Sequence, residues 1–126
     1  MVKTELVEEA KKGGREFLSK LDKKGLEIRA AFWHLDFDTE EWTLVLASPL
    51  VDRSGEREMY LRMHPIWLAS QDVDWTKLSA VRTDDKLVRL LDSVAHTGPG
   101  IHGKTHDRWV INGEFVGEAY IYRMNL

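Results

Sequence analysis

The sequence predicts an α+β fold, with a mostly antiparallel sheet packed against helices in the order α-β-β-α-β-α-β-β. Three observations point there. The chain has 126 residues, enough for one core and no second domain. Its apolar positions switch between helical period and strict alternation several times along the chain. Asn112-Gly113 lies between β-rich flanks, the residue pair favoured by a two-residue type I′ hairpin. A single domain, 1–126, is expected.

The first helix is expected over Thr4–Gly25. Leu6, Ala10, Phe17 and Leu21 form one stripe, with Val7 and Leu18 beside it. Glu5, Glu8 and Glu9 near its start and Lys20, Lys23 and Lys24 near its end suit the helix dipole, and Gly25 supplies the stop. Gly13 and Gly14 lie on the apolar stripe, where two interior glycines cost about 2 kcal/mol relative to alanine. Close approach to the sheet is the main reading, with a kink or a ligand-facing gap as alternatives.

"LEIRAAFWHLDF" and "EWTLVLAS" read as strands joined by a short turn. Leu26, Ile28, Ala30 and Phe32 form one face of the first strand, as do Trp42, Leu44 and Leu46 in the second. The opposite faces carry Trp33, Leu35, Thr43, Val45 and Ala47, so the sheet needs cover on both sides or a partner. Pro49 ends the second strand. Ser54 is the expected N-cap of a helix whose buried stripe is Met59, Tyr60, Met63, Ile66 and Trp67, bent or split at Pro65. "WTKLSAV" follows as a strand with Leu78 and Ala80 inward. Thr83 then caps a helix bearing Leu87, Leu91 and Val94, which Gly98-Pro99 stops. The final segment is the hairpin, with Gly117 as a bulge before "AYIYR".

Composition narrows the function classes. Hydrophobic residues make up 43% of the chain, and five of them are tryptophan. There is no cysteine, which excludes disulfides and thiolate metal sites. The net charge of −3, with basic and acidic residues interleaved, counts against nucleic acid as the partner. The start, "MVKTELVEEAKKGGREF", has no apolar core of a signal peptide, and no apolar run is long enough to span a bilayer. The expected location is therefore cytoplasmic, without membrane contact.

Residues 98–105, "GPGIHGKT", match the spacing of a phosphate-cradling P-loop. A working P-loop joins a strand to a helix, so that backbone amides and the helix N-terminus hold the phosphates. Here a helical segment precedes the match and a hairpin turn follows it within eight residues. The match is read as a decoy for nucleotide hydrolysis. A more modest reading survives: Gly100, His102, Gly103, Lys104, His106 and Arg108 could bind a small anionic ligand on a surface loop. The plainer alternative is a connector with solvated charges.

Other constellations are weaker. His102, His106 and Asp107 offer zinc-ligand types, but without helical spacing to align them, and no metal or other cofactor is expected. His34, Asp36 and Asp38 alternate on one strand face, where a solvated strand end competes with acid–base work. Ser48 lacks the glycine pattern of a nucleophile elbow. Core packing accounts for most of the tryptophans, while Trp33, with Leu35 and Val45, could anchor a partner through the second sheet face.

"AAFWHLDFDTEEWTLVLASPLVD" and "INGEFVGEAYIYRM" resemble in texture short bacterial proteins of uncharacterised function. That resemblance implies a bacterial-type cytoplasmic protein and brings no activity or catalytic residue. The leading expectation is a non-enzymatic binding or protein-interaction module, self-associating as a homodimer or docking a protein partner. The alternative is a small enzyme, or an anion-binding protein, acting on a phosphate-containing ligand through the 98–108 loop.

Overall fold

A computed structural model describes residues 5–107 and 110–126. Its elements are α1 (Glu8–Lys23), β1 (Ala30–Leu35), β2 (Trp42–Ala47), α2 (Pro49–Ser54), α3 (Glu56–Ser70), β3 (Leu78–Val81), α4 (Lys86–Ala95), β4 (Lys104–His106), β5 (Val110–Ile111), β6 (Glu114–Phe115) and β7 (Ala119–Met124). A single 3-10 turn, Trp75–Lys77, leads into β3.

The main sheet runs β3-β2-β1-β7-β4 and is mixed. β1 pairs antiparallel with both β2 and β7, and β4 antiparallel with β7, but β3 lies parallel to β2. The parallel pair has a simple cause. α2 and α3 intervene between β2 and β3 and return the chain to the end from which β2 began, as a parallel crossover requires.

Helices cover both faces of this sheet. On one side Ala31, Trp33, Leu35, Trp42, Leu44 and Leu46 meet Phe17, Leu18 and Leu21 of α1 together with Met59 and Met63 of α3. On the other, Ala30, Phe32, Val45, Ala47 and Ile121 meet Val88 and Leu91 of α4, with Ile111 and Val116 from the hairpin region. The expected face assignment is corrected here. Leu26 and Ile28 precede the strand and pack on the α1 side, opposite Ala30 and Phe32. Trp33, Leu35 and Val45, expected to face a partner, are only 4%, 5% and 6% exposed and are split between the two faces. The cover the sheet needed comes from the chain itself.

The helix boundaries follow local chemistry. α1 closes with a Schellman motif: Leu26 N–H bonds the Leu21 carbonyl and Gly25 N–H the Asp22 carbonyl, with Gly25 at φ +76°. Pro49 starts a helix rather than only ending a strand. It occupies the first turn of α2, and Ser48 Oγ caps it by accepting from Leu50 N–H at 3.1 Å. Ser54, the expected cap, is instead the last residue of α2, and α3 runs through Pro65 as one helix. Asp85, not Thr83, caps α4; Thr83 donates its backbone N–H and hydroxyl to the Asp52 carboxylate.

The hairpin turn forms where expected, with Asn112 and Gly113 both at positive φ. It joins β5 to β6 as a separate two-stranded sheet. Gly117, also at positive φ, lies in the connector. The bulge lies further on: Ala31 pairs with Arg123 and Phe32 with Ile121, leaving Tyr122 as the extra residue. The extra residue turns both Tyr122 and Arg123 towards α1. Tyr122 Oη donates to the Lys11 carbonyl at 2.6 Å and accepts from Trp33 Nε1 at 2.9 Å. The Arg123 guanidinium grips the Asp22 carboxylate at 2.8 and 3.0 Å and the Gly100 and Ile28 carbonyls.

Candidate functional site: a tryptophan-walled cleft

A cleft of about 900 Å³ opens where the start of α1, the end of α3 with the following loop, and the β1–β2 turn converge. Four of the five tryptophans wall it: Trp33 from β1, Trp42 from β2, Trp67 from α3 and Trp75 from the 3-10 turn. Two of their indoles are tied down. Trp33 donates to Tyr122, and Trp67 Nε1 donates to the Val73 carbonyl at 2.6 Å. The Trp67 and Trp75 rings lie 5.3 Å apart at 49°, and Trp75 also meets Tyr60 and His64 edge-on. Trp42 differs. It is only 9% exposed, and its Nε1 is buried without an acceptor among the described residues. A buried donor left unmatched costs about 1–3 kcal/mol.

The cleft's polar groups are carried by tight turns. α3 ends on Gln71 in left-handed conformation, its N–H bonded to the Trp67 carbonyl. The loop then passes so close to α1 that any side chain at Gly13 would strike the Asp72 carbonyl. Burial pushes the Asp72 carboxyl up, but hydrogen bonds from Lys20 at 2.7 Å and Ser70 at 2.8 Å outweigh it and hold the pKa below the usual range. Asp74 caps the 3-10 turn through the Thr76 hydroxyl and N–H, which lower its pKa. Glu40 sits at φ +57° in the β1–β2 turn, whose bend the Asp36 carboxylate stabilises by accepting from Asp38 and Thr39. Six acidic residues (Glu5, Glu9, Glu40, Glu41, Asp72 and Asp74) line the cleft against a single basic one, Lys77.

The residues singled out from sequence lie elsewhere. Lys104 and Thr105 belong to the edge strand β4, in antiparallel pairing with β7, and no helix follows them among the described residues. The P-loop spacing therefore has neither the strand before it nor the helix N-terminus behind it. Pairing places Lys104 and His106 beside Ile121 and Ala119 on the α4 face, and Thr105 beside Tyr120 on the other. His102 spends its N–H on the Tyr122 carbonyl, and the Gly100 carbonyl accepts from Arg123. Gly103 answers to close packing, since a Cβ there would crowd the Tyr120 hydroxyl and the Arg15 guanidinium at 2.7 Å. Arg108 lies outside the described residues, as does Trp109. His34 bonds the Val116 carbonyl, and Asp36 serves its own turn. Among the described residues no group of three or more His, Cys, Asp or Glu is arranged to hold a metal ion, and no helix is long and apolar enough to cross a membrane.

Comparison with protein-family models, with curated proteins and with solved structures finds no match. The cleft itself was not anticipated from sequence. Its tryptophans come from four separate elements, and only the neighbouring acids, in "EEW" and "DVDW", signal that some of them share a polar rim.

Proposed function

We propose that the protein is a non-enzymatic binding module whose ligand occupies the tryptophan-walled cleft. The observation that carries this reading is the convergence of four tryptophans and a polar rim on a cavity large enough for a small organic molecule. The two faces of the sheet are covered by its own helices, and in the cleft concave apolar surface and polar groups converge.

The test uses phenylnaphthylamine, an uncharged dye that fluoresces in apolar cavities. The dye is expected to bind with a blue-shifted, saturable signal. Glu9→Trp, which places a bulky group at an exposed position on the cleft wall, should abolish the signal while thermal unfolding stays close to that of the parent. A saturable signal that survives Glu9→Trp unchanged, or no saturable signal at all, would contradict the proposal.

A further inference from the structure

Resting on the cleft as the binding site, we infer that its ligand is a small organic cation, an ammonium head on an apolar body. Two features converge on this chemistry. The lining has six carboxylates against one lysine, and that lysine, Lys77, already lies 3.9 Å from Glu41. Asp72 is neutralised by Lys20, whereas Glu5, Glu9 and Glu40 form no ion pair among the described residues. Among the described residues the cleft lining therefore carries an excess of negative charge, which repels an anion and draws in a cation.

The walls supply the second feature. Trp67 and Trp75 are partly exposed and pack against one another in the cleft wall, and the quadrupole of the ring surface left exposed there attracts an ammonium group that has shed part of its water.

A basic peptide is a poorer fit. Recognition of an extended peptide usually uses an open strand edge, and here the edge strand β3 begins at Leu78, beyond the last cleft residue. The volume also matches a compact molecule.

The inference is tested by calorimetric titration of the intact protein with benzyltrimethylammonium, with choline, and with the uncharged isostere of choline in which carbon replaces the quaternary nitrogen. Phenylnaphthylamine displacement is measured in parallel. Benzyltrimethylammonium is expected to bind and displace the dye, and choline to bind about tenfold more tightly than its isostere, a difference of about 1.4 kcal/mol. Added salt should narrow that preference. Combining Glu9→Gln with Glu40→Gln should weaken both cations about fivefold or more while dye affinity stays unchanged. Equal binding of choline and its isostere, unaltered cation affinity in the double variant, or dye binding without any cation binding would each overturn the inference and leave the cleft standing as the site. Failure of the dye to bind the cleft would remove the underlying reading as well.

Discussion

Gly14 shows how one residue can tie a helix to a sheet. A Cβ at this position would overlap the Tyr122 hydroxyl and approach Trp33 Nε1 to 2.8 Å. Alanine raises helix propensity by about 1 kcal/mol, but here overpacking outweighs it, at about 1–3 kcal/mol or more. Gly14→Ala should therefore lower the urea midpoint, whereas a gain in stability would show that the helix stands off the sheet. The hydroxyl it would displace has a testable pH signature. Burial raises the Tyr122 pKa well above its ordinary value, and the hydrogen bond from Trp33 only partly opposes that. The folded state thus prefers the neutral phenol. Its contribution is complete below the unfolded pKa of about 10 and is lost as pH rises beyond it. Between about pH 9 and pH 11 the parent should lose more stability than Tyr122→Phe, with the difference between the two curves as the readout. At neutral pH the variant should be less stable by about 1–3 kcal/mol, because Trp33 and the Lys11 carbonyl lose their partner. Parallel pH curves would contradict the assignment.

At the scale of elements, two signals with a local cause held, while the local cap readings at Ser54 and Thr83 did not. The glycine stop of α1 and the Asn112-Gly113 turn depend on the φ preferences of single residues, and both stand where they were read. The close approach at Gly14 was legible too, because two glycines on an apolar helical stripe call for a packing reason. β4 was not legible: its pairing partner, β7, is distant in sequence, and "GKTH" has no strand pattern. α2 was missed because Ser48-Pro49 was read as an ending, although serine at the N-cap and proline in the first turn also make a beginning. Ser48 is fully buried, and its hydroxyl both accepts from Leu50 and donates to the Glu27 carbonyl. Ser48→Ala is expected to destabilise the fold by about 1–2 kcal/mol in chemical denaturation. A change within about 0.5 kcal/mol, typical of a surface substitution, would argue against the cap. The β1–β2 turn shows the opposite case. Glu40 holds a left-handed conformation that glycine adopts more readily, so Glu40→Gly should leave stability unchanged or slightly raised while removing a cleft carboxylate. A clear loss of stability would mean that the Glu40 side chain supports the turn itself.

Across the whole molecule, the sheet is closed on both faces, and that closure reshapes the functional reading. Of the apolar residues that suggested a partner, Trp33 and Leu35 lie beneath α1 and α3 and Val45 beneath α4, and the glycine-rich loop that suggested phosphate is an approach to an edge strand. The candidate site was largely invisible in the sequence, because Trp33, Trp42, Trp67 and Trp75 converge only through tertiary packing. The abundance of tryptophan was visible; its arrangement was not. The central claim, that ligand enters this cleft, is tested most directly by nuclear magnetic resonance of the isotope-labelled protein titrated with benzyltrimethylammonium. The indole N–H signals of Trp42, Trp67 and Trp75 should shift together and saturably, while the backbone amides of residues 100–106 stay in place. Shifts confined to residues 100–106, or five unmoved indole signals at saturating cation, would contradict it.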